Sequence, residues 1–137
     1  MAKIKHLALI TLDPEALAKF YCEVFDMEIV ERGNIAGEVY ITDGYLTVAL
    51  LSQRAQGKPN GLNHFGFHIE DQEEMAKRLT DYGMASPAKR PADRPYAETR
   101  ATDPDGNNFD LSVHGFQRTE LQVDRDAKVK DRKTVDA

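Results

Sequence analysis

The chain has 137 residues, of which 41% are hydrophobic, and its formal net charge is −5. A chain of this length can build one compact core but is short for two, and its acidic balance argues against nucleic acid as a partner, because such surfaces usually carry a basic excess. No apolar run approaches the roughly 18 residues of a membrane span and no export signal is visible, so we expect a cytoplasmic protein without a membrane partner.

An ungapped internal repeat relates the start of the chain to its middle. The segment IKHLALITLDPEALAKFYCEVF, residues 4–25, aligns with LNHFGFHIEDQEEMAKRLTDYG, residues 62–83. Four matches stand in register: His6 with His64, Asp13 with Asp71, Glu15 with Glu73, and Ala18-Lys19 with Ala76-Lys77. Because chance does not supply four such matches without a gap, the repeat predicts two structural units of the same build.

The first unit is predicted to be a strand, a helix and a run of further strands. Polar and apolar residues mix from Ile4 to Thr11 in a way that favours a strand, and Asp13 followed by Pro14 is typical of a helix start. A spacing of three and four residues predicts that the buried face of this helix consists of Leu17, Phe20, Tyr21 and Val24. Extended stretches follow at residues 27–32, 37–42 and 45–52.

The second unit repeats this order, except that one of its strands is not predicted by the sequence. Asp71 is the predicted N-cap, Glu74 stands three residues later as in a capping box, and Gly83 ends the helix. Its predicted buried face consists of Met75, Leu79 and Tyr82. Extended stretches are predicted at 96–102 and 107–114, while the proline-rich segment 85–95 is predicted to be a loop where the fourth strand should lie.

These elements predict an α+β fold in a single domain of residues 1–116. Module 1 covers about 1–52, a polar and turn-rich linker covers 53–61, and module 2 covers about 62–116. Residues 117–137 carry charges of both signs and no aromatic residue, which is typical of a solvated extension. An arm that lies along a partner subunit is the alternative.

Alternation along three strands predicts a dry face and a wet face. Residues at every second position, such as Leu7 and Leu9 or Phe109 and Leu111, give an apolar face that the two helices would cover. The opposite face then carries His6, His64, His68, Asp110 and His114, with small Ala8 and Gly66 beside the first two histidines. Two imidazoles and a carboxylate on rigid strands match the ligand set of a divalent transition metal, although a histidine in a strand is often only a hydrogen-bonded or exposed residue.

The repeat, together with IKHLALI, LNHFGFHIED and TDPDGNNFDLS, resembles the vicinal oxygen chelate superfamily over residues 1–115. This superfamily includes glyoxalase I, extradiol dioxygenases, methylmalonyl-CoA epimerase, fosfomycin resistance enzymes and bleomycin resistance proteins. The resemblance implies two βαβββ modules that form a curved mixed sheet, a half-barrel with the helices on its convex face, around a metal, and a homodimer. It places His6, His64 and Asp110 on the family's ligand positions.

The sequence departs from the family pattern at three positions. The last ligand is usually Glu but is Asp110 here, and Arg100 stands where dioxygenases and fosfomycin enzymes carry a tyrosine. Glyoxalases and epimerases usually add a fourth ligand from the last strand of module 1. Counting four residues from Gly44, as Asp110 follows Gly106, places Val48 there, so we expect a three-ligand site.

The resemblance implies a metal-dependent enzyme that holds a small, anionic substrate through two vicinal oxygens. Fe(II), Mn(II), Ni(II) or Zn(II) would serve as the metal, and the three-ligand count favours dioxygenase-type chemistry. Arg100 would orient the substrate, and Glu98, His68 and Tyr21 are candidates for proton transfer. The alternatives are a lyase, isomerase or thiol transferase, and a metal-free protein that sequesters an antibiotic or metabolite.

Overall fold

The computed structural model describes residues 1–33, 37–52, 59–92 and 97–115. Most of the predicted linker and the whole predicted extension 117–137 lie outside these residues. The elements are β1 (Lys3–Thr11), α1 (Pro14–Phe25), β2 (Glu28–Arg32), β3 (Val39–Thr42), β4 (Thr47–Ser52), β5 (Gly61–His68), α2 (Gln72–Tyr82), β6 (Ala88–Lys89), β7 (Thr99–Thr102) and β8 (Asn108–Ser112). Neither of the two described helices is long and apolar enough to cross a membrane.

All eight strands form one mixed sheet in the order β2-β3-β4-β1-β5-β8-β7-β6. The two modules are related by a pseudo-twofold axis at its centre, where β1 and β5 pair antiparallel within the same chain. Each of these strands pairs parallel with the last strand of its own module, β1 with β4 and β5 with β8. The predicted α+β fold of two βαβββ modules is confirmed.

Both helices begin at the predicted N-caps, and α2 ends at the predicted glycine. Asp13 and Asp71 accept hydrogen bonds from the backbone N–H groups of Ala16 and Glu74, at 3.0 and 3.1 Å. These bonds satisfy N–H groups that the first turn leaves without an intrahelical partner. Gly83 ends α2 with φ of 104°, a left-handed conformation that favours glycine.

The helices cover one face of the sheet and form two cores there. Around α1, Ala18 and Cys22 pack with Val39, Ile41, Val48 and Leu50, and Leu7 and Leu9 lie against this cluster. Around α2, Met75 and Leu79 lie against Ile69, Ala101, Phe109 and Leu111. The predicted apolar faces of β1 and β8 therefore do lie under the helices, which leaves the alternate residues of these strands on the opposite face.

The predicted buried face of α1 is wrong in part. Phe20 and Val24 are 49% and 57% exposed, whereas Pro14, Ala18 and Cys22 are the buried residues of the helix. The small side chains of Ala18 and Cys22 let the helix lie close to the sheet, which turns the predicted stripe partly out to solvent. Tyr82, which was predicted to be buried on α2, is 78% exposed.

The proline-rich segment contains the short strand β6. Its two residues, Ala88 and Lys89, pair antiparallel with Arg100 and Thr99 of β7. Proline cannot donate a ladder hydrogen bond, and Pro87 and Pro91 stand close on either side, which is consistent with so short a strand at the edge of the sheet. The second module thus has its fourth strand, inside the segment that was predicted to be a loop.

Candidate metal centre

A row of four residues crosses the sheet on the face opposite the helices. In register, His6 of β1 lies opposite Gly66 of β5, Gly66 lies beside Asp110 of β8, and Asp110 lies opposite Arg100 of β7. His64 lies two residues before Gly66 on the same face. Because Gly66 is a glycine, this row has no side chain between those of His6 and Asp110.

The structure brings the three predicted ligands together in a buried cluster. His6, His64 and Asp110 are 5%, 8% and 4% exposed. One potential ligand atom from each lies within 4.8 Å of the other two. Nε2 of His64 is 3.2 Å from Oδ2 of Asp110, and the two imidazole centroids are 5.5 Å apart.

Arg100 covers the carboxylate of Asp110. Its Nε donates to Oδ1 at 2.5 Å and its Nη2 donates to Oδ2 at 3.2 Å, a two-point contact that suits the planar guanidinium. The side chain of Arg100 is 23% exposed, so it lies at the border between the buried cluster and solvent.

Burial and neighbouring charges fix the protonation of two cluster residues. Burial, with His64 beside it, lowers the pKa of His6 to about 3, so its imidazole is neutral at pH 7 and keeps a lone pair for a ligand. Burial alone would raise the pKa of Asp110, but hydrogen bonds from His64 and Arg100 and their charges hold that pKa well below its usual range. Asp110 is therefore an ionised carboxylate.

Asn63 is a residue of the site that the sequence analysis missed. Its Oδ1 lies 2.8 Å from Nδ1 of His64, on the side of the ring away from Asp110. An acceptor at Nδ1 directs Nε2 of the same ring toward the cluster. The adjacent position in the sequence was the only available signal.

On the same face, module 1 carries a row of uncharged residues that the pseudo-twofold axis relates to this one. Tyr40 of β3 lies opposite Ala49 of β4, Ala49 lies beside Ala8 of β1, and Ala8 lies opposite His64. The pseudo-twofold axis relates Ala49 to Asp110, so the predicted counterpart Val48 is wrong, since Val48 packs in the core under α1. Alanine offers no ligand atom, and the expectation of three protein ligands is unchanged.

Glu98 is engaged at the junction of β8 and α2. Its carboxylate accepts from Oγ of Ser112 at 2.5 Å, from the backbone N–H of Val113 at 2.6 Å, and from Nε2 of Gln72 at 3.1 Å. Burial raises the pKa of Glu98, but these donors outweigh it and lower the pKa below its ordinary value. With three donors to its carboxylate, Glu98 connects β8 to α2 and has a structural role.

The remaining proton-transfer candidates lie in different places. His68 ends β5 on the cluster's face and is half-buried, and its Nδ1 has no hydrogen-bond partner within the described residues. Tyr21 packs against the core under α1, on the opposite face of the sheet, so the structure does not bring it to the cluster. His114 lies beyond the end of β8 and is exposed.

Residues 3–111 match the family model described as the Glyoxalase/Bleomycin resistance protein/Dioxygenase superfamily. Similar solved structures include the hypothetical protein BH1468 from Bacillus halodurans C-125, with a TM-score of 0.64 and 12% identity over 80% of this chain and 92% of that chain. The 2,3-dioxygenase LapB from Pseudomonas sp. KL28 gives 0.65 and 20% over 81% of this chain and 40% of that chain. Methylmalonyl-CoA epimerase from Mycobacterium tuberculosis gives 0.63 and 13% over 79% and 85%. No curated protein sequence matches the chain.

Proposed function

Because the chain belongs to the glyoxalase/bleomycin resistance protein/dioxygenase superfamily, we propose that it is a metal-dependent enzyme with His6, His64 and Asp110 as ligands. Its substrate is a small anion that presents two vicinal oxygens to the metal. The convergence of two buried imidazoles and one ionised carboxylate from three different strands supports this proposal above all other observations.

The distances in the cluster fit a single divalent ion. Two ligand atoms bound at about 2.1 Å lie at most about 4.2 Å apart. The three potential ligand atoms lie within 4.8 Å of one another, so small side-chain adjustments suffice to bring them to one ion. When bound, the metal would act as a Lewis acid on the substrate's two oxygens.

The ligand count favours dioxygenase-type chemistry. Two histidines and one carboxylate with open positions are typical of non-haem Fe(II) oxygenases. Ala49 stands where the mirrored half of the sheet would supply a fourth ligand, which leaves room for a substrate that binds through two oxygens. An epimerase or another lyase or isomerase, as well as a thiol transferase, remains an alternative within the same family.

The residues of this chain would divide the remaining tasks among them. Arg100 would pair with the negative charge of the substrate. Asn63 would hold the His64 ring in position. His68 is the proton-transfer candidate that lies on the face of the cluster, whereas the carboxylate of Glu98 is committed to the β8–α2 junction.

A metal-free binding protein is a second candidate function, and the contacts of Asp110 favour it. This carboxylate is already neutralised by Arg100 and contacts His64, so the cluster satisfies its own buried charge. Such a protein would hold an organic ligand on this face of the sheet without performing chemistry.

Metal content separates the two functions. The chain is purified without chelators, and transition metals per chain are counted by mass spectrometry for the wild type, His64→Ala and His114→Ala. The enzyme proposal expects about one metal per chain in the wild type and in the exposed His114→Ala control, and loss in His64→Ala. Iron would favour oxygenation, and nickel or zinc would favour lyase or isomerase chemistry. No metal in any of the three proteins, even after reconstitution, would leave the metal-free function.

A further inference from the structure

The guanidinium of Arg100 occupies the same carboxylate that the proposed metal requires. It contacts both oxygens of Asp110, and one of these, Oδ2, is also the oxygen that faces Nε2 of His64. An ion bound by His64 and Asp110 must enter between these two atoms. A bound metal would therefore share Oδ2 with Arg100, whose positive charge lies on the same carboxylate and repels the cation.

The charges of the site give the second step. Arg100 and Asp110 together carry no net charge, and Asp110 is 4% exposed. A divalent cation added to this pair leaves two positive charges in excess at a buried position, beside a guanidinium that repels it. Because unbalanced buried charge is costly, the site that holds both the metal and Arg100 requires an anion to offset the excess positive charge.

We infer that Arg100 makes the binding of metal and of an anionic substrate interdependent, and that the substrate class is a carboxylate with an oxygen on the adjacent carbon. A 2-hydroxy or 2-oxo carboxylate offers two vicinal oxygens to a metal and a negative charge to the guanidinium. This inference rests on the proposed metal-dependent function. Because coupling is reciprocal, the anion binds weakly without metal, and the metal binds weakly without the anion.

The first test measures the binding of Mn(II) alone, with free Mn(II) counted by electron paramagnetic resonance. Arg100→Met removes the competing charge and is expected to bind Mn(II) about ten-fold more tightly than the wild type, within the usual range of such coupling. Arg100→Lys keeps the charge and is expected to bind like the wild type. Arg78→Met is the matched control, because Arg78 lies on the exposed face of α2.

The second test compares a charged and a neutral probe, each in the wild type and in Arg100→Met. Glycolate and its neutral analogue glycolamide both present two vicinal oxygens. In the wild type, glycolate is expected to tighten Mn(II) binding about ten-fold more than glycolamide does. Because a carboxylate binds a divalent metal better than an amide does, some preference for glycolate remains in Arg100→Met, but it is expected to be clearly smaller than in the wild type.

The outcomes distinguish this inference from the function on which it rests. If the wild type and every variant fail to bind Mn(II), the proposed function falls and this inference falls with it. If Mn(II) binds, but with equal affinity and with the same preference for glycolate in the wild type and Arg100→Met, only the coupling by Arg100 is overturned. Circular dichroism checks that Arg100→Met is folded, and Arg100→Gln, which also removes the charge, takes its place in both tests if it is not.

Discussion

At the scale of single residues, Asn63 orients the imidazole ring of His64. Nδ1 of His64 faces Oδ1 of Asn63 while Nε2 faces Asp110, so the two nitrogens of the ring have separate partners. A ligand histidine usually donates its other ring N–H to such a partner, which fixes the tautomer and increases basicity. Asn63 would thereby prepare His64 for a metal.

Replacing Asn63 with Ala tests this role. We expect Asn63→Ala to lower the affinity for Mn(II) by roughly 10- to 100-fold, the usual effect of losing such a partner, with little change in the fold. The measurement is a Mn(II) titration, and Asn60→Ala, at an exposed position just before β5, is the matched control. Equal affinities in the two variants would remove Asn63 from the site.

The junction of β8 and α2 shows how elements are fastened together near the site. Glu98 binds the end of β8 through Ser112 and Val113, and Gln72 connects it to the first residue of α2. Gln72 also accepts a hydrogen bond from Thr99 of β7 through its Oε1, at 2.9 Å. The network joins two strands and a helix two residues beyond Asp110.

Removing the carboxylate of Glu98 should weaken the fold and spare the metal site. Glu98→Ala leaves three donors without their acceptor, which is expected to lower the free energy of unfolding by about 1–3 kcal/mol. Urea denaturation measures the loss, a Mn(II) titration checks the site, and Glu70→Ala, at an exposed position, is the control. Unchanged stability in Glu98→Ala would show that these hydrogen bonds do not stabilise the fold.

The starts of the two helices could be predicted from the sequence, whereas the buried faces of α1 and β4 could not. Caps such as Asp13 and Asp71 act locally, so the sequence reveals them directly. The buried face of α1 depends on how closely Ala18 and Cys22 let the helix approach the sheet, which is a tertiary property. Periodicity alone does not contain this distance.

The register of β4 shows a second limit of the sequence. Thr42 pairs with Thr47 across a turn of four residues with Gly44 second, whereas Thr102 pairs with Asn108 across a turn of five residues with Gly106 fourth. The two glycines are therefore not equivalent, and counting from them misplaces the strand by one residue. A shift of one residue exchanges the faces of a strand, which is why Val48 was predicted where Ala49 lies.

For the whole molecule, burying His6 makes stability depend on pH. The pKa of His6 is about 3 in the folded chain, whereas the ordinary value of 6.5 applies in the unfolded chain. The unfolded chain therefore binds a proton first as the pH falls. The contribution is therefore complete above pH 6.5 and is lost progressively between 6.5 and 3. Each pH unit in this window lowers the free energy of unfolding by about 1.4 kcal/mol.

Urea unfolding of the metal-free protein between pH 7.5 and 4.5 measures this dependence. The upper part of the range lies above the window and the lower part lies inside it. We expect His6→Gln to show a flatter profile, since glutamine does not titrate. Asp110 does not interfere, because its pKa lies below the ordinary value of 3.8 in the folded chain and acts only at lower pH. Parallel profiles for the two proteins would show that His6 is not buried in its neutral form.

The clustering of the three predicted ligands could be predicted by combining the internal repeat with the alternation of side chains along the strands. The repeat paired His6 with His64, and alternation placed Asp110 on the same face. What the sequence did not reveal is that Arg100 contacts Asp110, because that contact depends on a cross-strand register between β7 and β8. The register follows from the length of their turn and from packing beneath the sheet.

The positions of the three proposed ligands along the chain determine when during synthesis the proposed site can form. His6 lies on β1, His64 lies on β5 and Asp110 lies on β8, so they are synthesised in that order. The carboxylate reaches the two imidazoles only when β8 has paired with β5, after both modules have been synthesised. The proposed site therefore cannot be loaded on a nascent or truncated chain that lacks β8, and metal uptake would mark the completion of the fold.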